Sequence, residues 1–126
     1  YYETKEDALT DFFHEIVAGY IRECREEQVG RFHDRSSIIH ALKYFDRYSI
    51  FILKLVDVKL LYIIQDAMND YMMKRIMPHY KIPVYELYFY GGALLNVFIQ
   101  WEKNGKREPA EMIADQITSY CSLRSQ

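Results

Sequence analysis

The side chains able to do chemistry are few and dispersed. The four histidines, His14, His33, His40 and His79, fall on separate segments with no i, i+4 pairing, so no single helix carries a zinc-binding face. Asp11 and His14 stand three residues apart, as half of the carboxylate-x-x-His pairing that a di-metal bundle needs on each of two helices. Cys24 and Cys121 form no Cys-x-x-Cys pair, and neither has a sequence neighbour that would generate a thiolate. Gly-rich phosphate loops, Gly-x-Ser-x-Gly elbows and His-Glu-x-x-His are absent. These patterns predict no metal ion, no cofactor and no catalysis.

What is left is binding chemistry. Polar or soft side chains interrupt otherwise apolar helical stretches at His40, Tyr44, Tyr62, Gln65, Met68, Asn69, Met72 and Tyr88. Gln65 and Asn69 stand one turn apart beside Met68 and Met72, which would orient a mostly apolar molecule with a few hydrogen bonds. The same spacing suits a solvated face. Twelve Tyr, seven Phe and five Met in 126 residues are an unusual load. Such side chains build a bulky core or a dimer seam, and they also line adaptable apolar pockets.

Positioning these residues falls to helices. Between three prolines and five glycines the apolar residues recur at three and four, which predicts an all-α chain of about six helices. Thr4-Lys5-Glu6-Asp7 reads as a capping box before the stripe Leu9, Phe12, Phe13, Ile16, Val17, Tyr20, Ile21 and Cys24, with Gly30 closing that segment. Asp34, Ser36 and Ser37 offer caps for a second helix that ends near Tyr48. Ser49–Val56 has strand-like composition but no strand partner, and is expected to be a short buried helix. Asp57 is expected to cap a long helix through Ile76, closed by Pro78 and Pro83.

Val84–Trp101 is apolar on almost every side. It is expected to be buried twice, by its own domain and by a partner subunit, with Gly91-Gly92 marking a close approach to a helix or a ligand. Asn104-Gly105 supplies a stop, and Pro109 opens a last helix with the face Met112, Ile113, Gln116, Ile117 and Tyr120. A formal charge of -2, with 16 scattered Lys and Arg, gives no electrostatic footprint for nucleic acid. The charged start, YYETKEDALTDFF, has no signal-peptide core, and Glu86, Asn96 and the Gly pair interrupt the longest apolar run. With two dispersed cysteines, the expectation is a cytoplasmic protein with reduced thiols and no membrane span.

Two blocks carry a family resemblance. YYETKEDAL resembles the junction closing the helix-turn-helix domain of TetR-family repressors, with Tyr2 matching an aromatic residue and Thr4-Lys5-Glu6 the start of the family's fourth helix; the expected Leu comes one residue late, at Leu9. YFYGGALLNVFIQWEKNGKREPAEMIA resembles the last two helices of Firmicutes-type TetR C-terminal domains, although Glu108 stands where a Ser cap is frequent. The resemblance implies a TetR C-terminal-like bundle over residues 5–126, with residues 1–4 the remnant of a DNA-binding domain that lies upstream. It implies a homodimer through the last two helices, with Tyr85, Phe89, Gly92, Ile113, Ile117 and Tyr120 at the interface, and Tyr1 and Lys5 at phosphate-contacting positions. It also implies an effector that couples to release of operator DNA, and the aromatic load points to a small apolar or aromatic one. The alternative is a helical dimerisation or protein-interaction module that recruits a protein partner and takes no small molecule.

Overall fold

A computed structural model describes residues 3–27 and 31–125, with side chains up to residue 119. Among the described residues it contains six α-helices and no strand: α1 (Lys5–Glu26), α2 (Arg35–Asp46), α3 (Ser49–Asp57), α4 (Leu61–Tyr71), α5 (Val84–Lys103) and α6 (Ala110–Ser125). No helix among these residues is long and apolar enough to cross a membrane.

Helix α1 starts where its cap dictates, with the Asp7 amide donating to Thr4 Oγ1 at 3.0 Å. Phe13, Ile16 and Tyr20 face the core, whereas Phe12 is left 45% exposed at the edge of the stripe. Gly30 lies outside the described residues; α1 already ends at Glu26. At α2, Asp34 is the cap residue, but its carboxylate turns back to accept from the Arg31 amide at 2.8 Å. Ser36 and Ser37 lie inside the helix, which stops at Asp46. The segment from Ser49 is helical, as its lack of a strand partner required. Its burial is one-sided: Ile52 and Leu55 are buried, while Ile50 is 88% exposed.

Asp57 does not cap the next helix; it is the last residue of α3. The chain reverses through Lys59 at φ 66°, with the Leu60 amide donating to Leu55 O at 2.8 Å and the Lys59 amide to Val56 O at 3.1 Å. This pair of bonds is a Schellman closure with lysine in the left-handed position usually held by glycine. Helix α5 ends the same way, and there the residue is Gly105, at φ 82°. After α4 the helix widens into a π-helical stretch, Met72–Ile76, then tightens into one 3-10 turn, Met77–His79. Pro78 has no amide proton to continue the α-helical ladder.

The main core gathers around Ile38, Leu42 and Ile52, and Leu87 centres a second, smaller cluster with Met72 and Ile76. Helix α6 lies along α2 and contributes Ala110, Ile113 and Ala114 to that core. Arg35–Asp115 and Lys43–Glu111 ion pairs, at 2.6 and 2.8 Å, flank the seam. Both pairs are solvent-exposed and screened, so packing decides the docking.

A carboxyl pair joins the C-terminal ends of α2 and α5. Burial pushes the Glu102 carboxyl up to about 8, helped by its hydrogen bond to Asp46, while that bond and Lys106, at 2.8 Å, hold Asp46 below its ordinary value. Glu102 therefore carries the proton and Asp46 the charge. Because the folded-state pKa of Glu102 is raised, its contribution is fully present below about 4.5 and is lost as pH rises through about 8. Asp46 has the opposite sign, losing its contribution at acid pH. Glu102→Gln keeps a donor toward Asp46 without the proton equilibrium. Urea unfolding of this variant and the wild type across that window should show the variant gaining stability relative to wild type as pH rises toward its alkaline end; parallel profiles would mean Glu102 ionises normally.

Candidate ligand-binding site

Helices α1, α2, α4 and α5, with α3, line a partly open cavity of about 90 Å³. Helix α1 supplies Phe13, Val17 and Tyr20, and α2 supplies Ser37, Ala41, Leu42 and Phe45. Opposite stand Ile64, Ala67, Met68 and Tyr71 of α4, then Met72, and Tyr90, Leu94, Leu95 and Phe98 of α5, with Phe32 and Ile52 completing the wall. The α4 residues show why: positions 64, 67, 68 and 71 recur at three and four on one face. Among the described residues, no Asp, Glu, Lys or Arg lines the cavity.

Gly91 sets the spacing of the α4–α5 wall. A Cβ there would stand 3.2 Å from Met68 Cγ and 3.5 Å from Met72 Cε, so the close approach expected at the Gly pair is made by these methionines. Gly92 has nothing within 4 Å of an added Cβ and faces outward.

The polar atoms of the lining belong chiefly to tyrosines. Tyr20 and Tyr71 meet edge to face with ring centroids 6.1 Å apart. Burial raises the Tyr20 hydroxyl well above its ordinary value, with Tyr71 and Cys24 adding to it, and burial pushes Tyr71 up to about 12. Burial likewise raises the Cys24 thiol, which hydrogen-bonds with Tyr20. These groups are neutral at physiological pH. The Tyr90 hydroxyl points to Phe32 O at 3.5 Å.

Of the eight binding residues expected from sequence, the cavity brings together two, Met68 and Met72. Tyr62, Gln65 and Asn69 lie on the outer face of α4, opposite the cavity register, and Tyr88 is 37% exposed on the outer face of α5. His40 stacks on the Tyr20 ring with centroids 5.5 Å apart, behind the wall. Tyr44 is buried outside the cavity, donating to Ile16 O at 2.7 Å. Sequence reading missed Tyr71 and Tyr20 as wall residues because both fit an apolar stripe, where periodicity does not separate packing from a void. Phe32 and Tyr90 carried no signal.

The interface residues expected from the resemblance divide as well. Tyr85 is 81% and Phe89 62% exposed, and with Tyr88 and Gly92 they form an outward stripe on α5. Ile113 belongs to the protein's own core, Ile117 packs partly against it, and Met112 is an exposed apolar side chain of α6, at 47%. The Tyr120 side chain and Tyr1 lie outside the described residues, and Lys5 is exposed at the first position of α1.

One titratable cluster was not foreseen. Glu23, Glu27 and His40 bring ligand-type atoms within 4.8 Å of one another. Arg47 holds Glu23 through two bonds, 2.9 and 3.0 Å, so the group is a salt-bridged network with one carboxylate already engaged by a cation. No family model, curated protein or solved structure matches the chain.

Proposed function

We propose that this chain is the effector-sensing and dimerisation domain of a TetR-type transcriptional regulator, a repressor whose helix-turn-helix domain precedes Tyr1. The observation that carries the reading is the cavity, apolar, uncharged and walled on one side by α1. Helix α1 begins at the block resembling the junction with a DNA-binding domain, so a ligand between α1 and α4 is placed to favour one setting of that helix over another. A ligand shifts such an equilibrium only by its differential affinity for the two settings. Lys5, with the positive end of α1 behind it, would then contact phosphate from the domain boundary.

Dimerisation is proposed through the outer face of α5, where Tyr85 and Phe89 leave an apolar stripe in water. Gly92, open on that face, would let a second helix approach closely. Sedimentation equilibrium at micromolar concentration is expected to give twice the 15.2 kDa of one chain. Phe89→Asp should shift the chain to monomer without loss of helical circular dichroism. The same stripe supports a second reading, recruitment of a different protein, and a well-folded wild-type monomer would favour it over the homodimer. The gene itself tests the repressor reading: codons for a basic helix-turn-helix, about 45, are expected directly upstream of Tyr1, and their absence would end it.

A further inference from the structure

The chemistry of the cavity wall narrows what it can hold, on the reading that the cavity is a sensing site. Its space of about 90 Å³ compares with the 10–15 Å³ that one water needs, so it accepts a single ring with a short substituent. Among the described residues no charged side chain lines the wall, and an ion transferred there would lose hydration with no counter-charge from them. Aromatic faces alone would repay a cation only in part. The polar side chains that line the space are Tyr20, Tyr71, Tyr90 and Ser37, whose hydroxyls can donate, and Ser37 already has a partner. Tyr20 is already engaged with Cys24, and Tyr90 with Phe32. Tyr71, the last residue of α4, has no hydrogen-bond partner for its hydroxyl among the described residues.

We propose that the cavity takes an uncharged, single-ring molecule bearing one hydrogen-bond acceptor, such as a ketone or ether oxygen, and that Tyr71 donates to that acceptor. Met68 and Met72, flexible and polarisable, close on the ring, and Gly91 leaves them room to do so. Anions fail for want of a positive group, and fully apolar rings bind without the directional contact.

Four probes of one skeleton separate these cases: acetophenone, its isostere α-methylstyrene without the acceptor, benzoate and phenyltrimethylammonium. NMR titrations of the whole chain are expected to show acetophenone binding about three- to tenfold tighter than α-methylstyrene, the range of one net hydrogen bond. Benzoate and phenyltrimethylammonium should not saturate. Tyr71→Phe should abolish the preference for acetophenone while leaving α-methylstyrene affinity unchanged, which also shows that the variant folds. Tighter binding of either ion, or a preference that survives in Tyr71→Phe, would overturn this ligand class and leave the sensing reading standing. Failure of all four probes to bind would remove both.

Discussion

Replacing Gly19 by alanine is expected to destabilise the protein, although alanine is the better helix former by about 1 kcal/mol in a helix interior. A Cβ at position 19 would stand 2.5 Å from the Tyr44 hydroxyl, inside any real contact distance. That hydroxyl is not free to retreat, because Tyr44 is 3% exposed and donates to Ile16 O at 2.7 Å. The ring must shift or the bond must break, at an overpacking cost of about 1–3 kcal/mol plus roughly 1 kcal/mol for the hydrogen bond. Set against the propensity gain, the net loss should be about 1–3 kcal/mol. In a Tyr44→Phe background the nearest ring carbon is 3.7 Å away, and the same alanine should stabilise by up to about 1 kcal/mol. Urea unfolding of the four proteins should give a coupling energy of about 2 kcal/mol. A stabilising Gly19→Ala in the wild-type background would mean that α1 and α2 do not meet as described.

Trp101→Ala should have the largest single effect. The indole is 7% exposed, its Nε1–H donates to Glu108 O at 2.8 Å, and it stands at the end of α5 where the chain turns into α6. Loss of its buried surface costs about 3–5 kcal/mol, against a total stability of about 5–15 kcal/mol for a domain. Trp101→Phe keeps most of the apolar contact and should cost about 1–2 kcal/mol, chiefly the donor to Glu108 O. Denaturant midpoints order the three proteins. Equal costs for Ala and Phe would place the stabilisation in the hydrogen bond, and a negligible cost for both would contradict the docking of α6.

These two sites show what a one-dimensional reading reaches. The stop at Asn104-Gly105 was legible because glycine advertises the left-handed position it fills. The same closure at Lys59 was not, since lysine gives no such sign, and so Asp57 was assigned to the wrong helix. The helical state of Ser49–Asp57 was legible from the lack of a strand partner. Gly19 was silent: its role is clearance for Tyr44, 25 positions on, and only the packing of α1 on α2 reveals it. Glu102 and Asp46 meet through tertiary structure alone.

The candidate site was legible in the same partial way. Met68 and Met72 stood out as soft residues on an apolar stripe, and they line the cavity. Gln65 and Asn69 stood out for their polarity, which on α4 marks the solvated face instead. Tyr20 and Tyr71 of the wall have the spacing of core residues, and a stripe of apolar spacing has the same appearance whether it closes on other side chains or on empty space.

Methyl NMR of the methionines tests the central claim, that the cavity is where a small molecule binds. Met68 and Met72 line it, whereas Met77 and Met112 are 42% and 47% exposed on the outside and serve as internal controls. Titration of 13C-methyl-labelled chain with acetophenone is expected to shift the Met68 and Met72 resonances along one saturable curve and leave Met77 and Met112 in place. Shifts confined to Met77 and Met112, or no saturable shift at Met68 and Met72, would contradict the account.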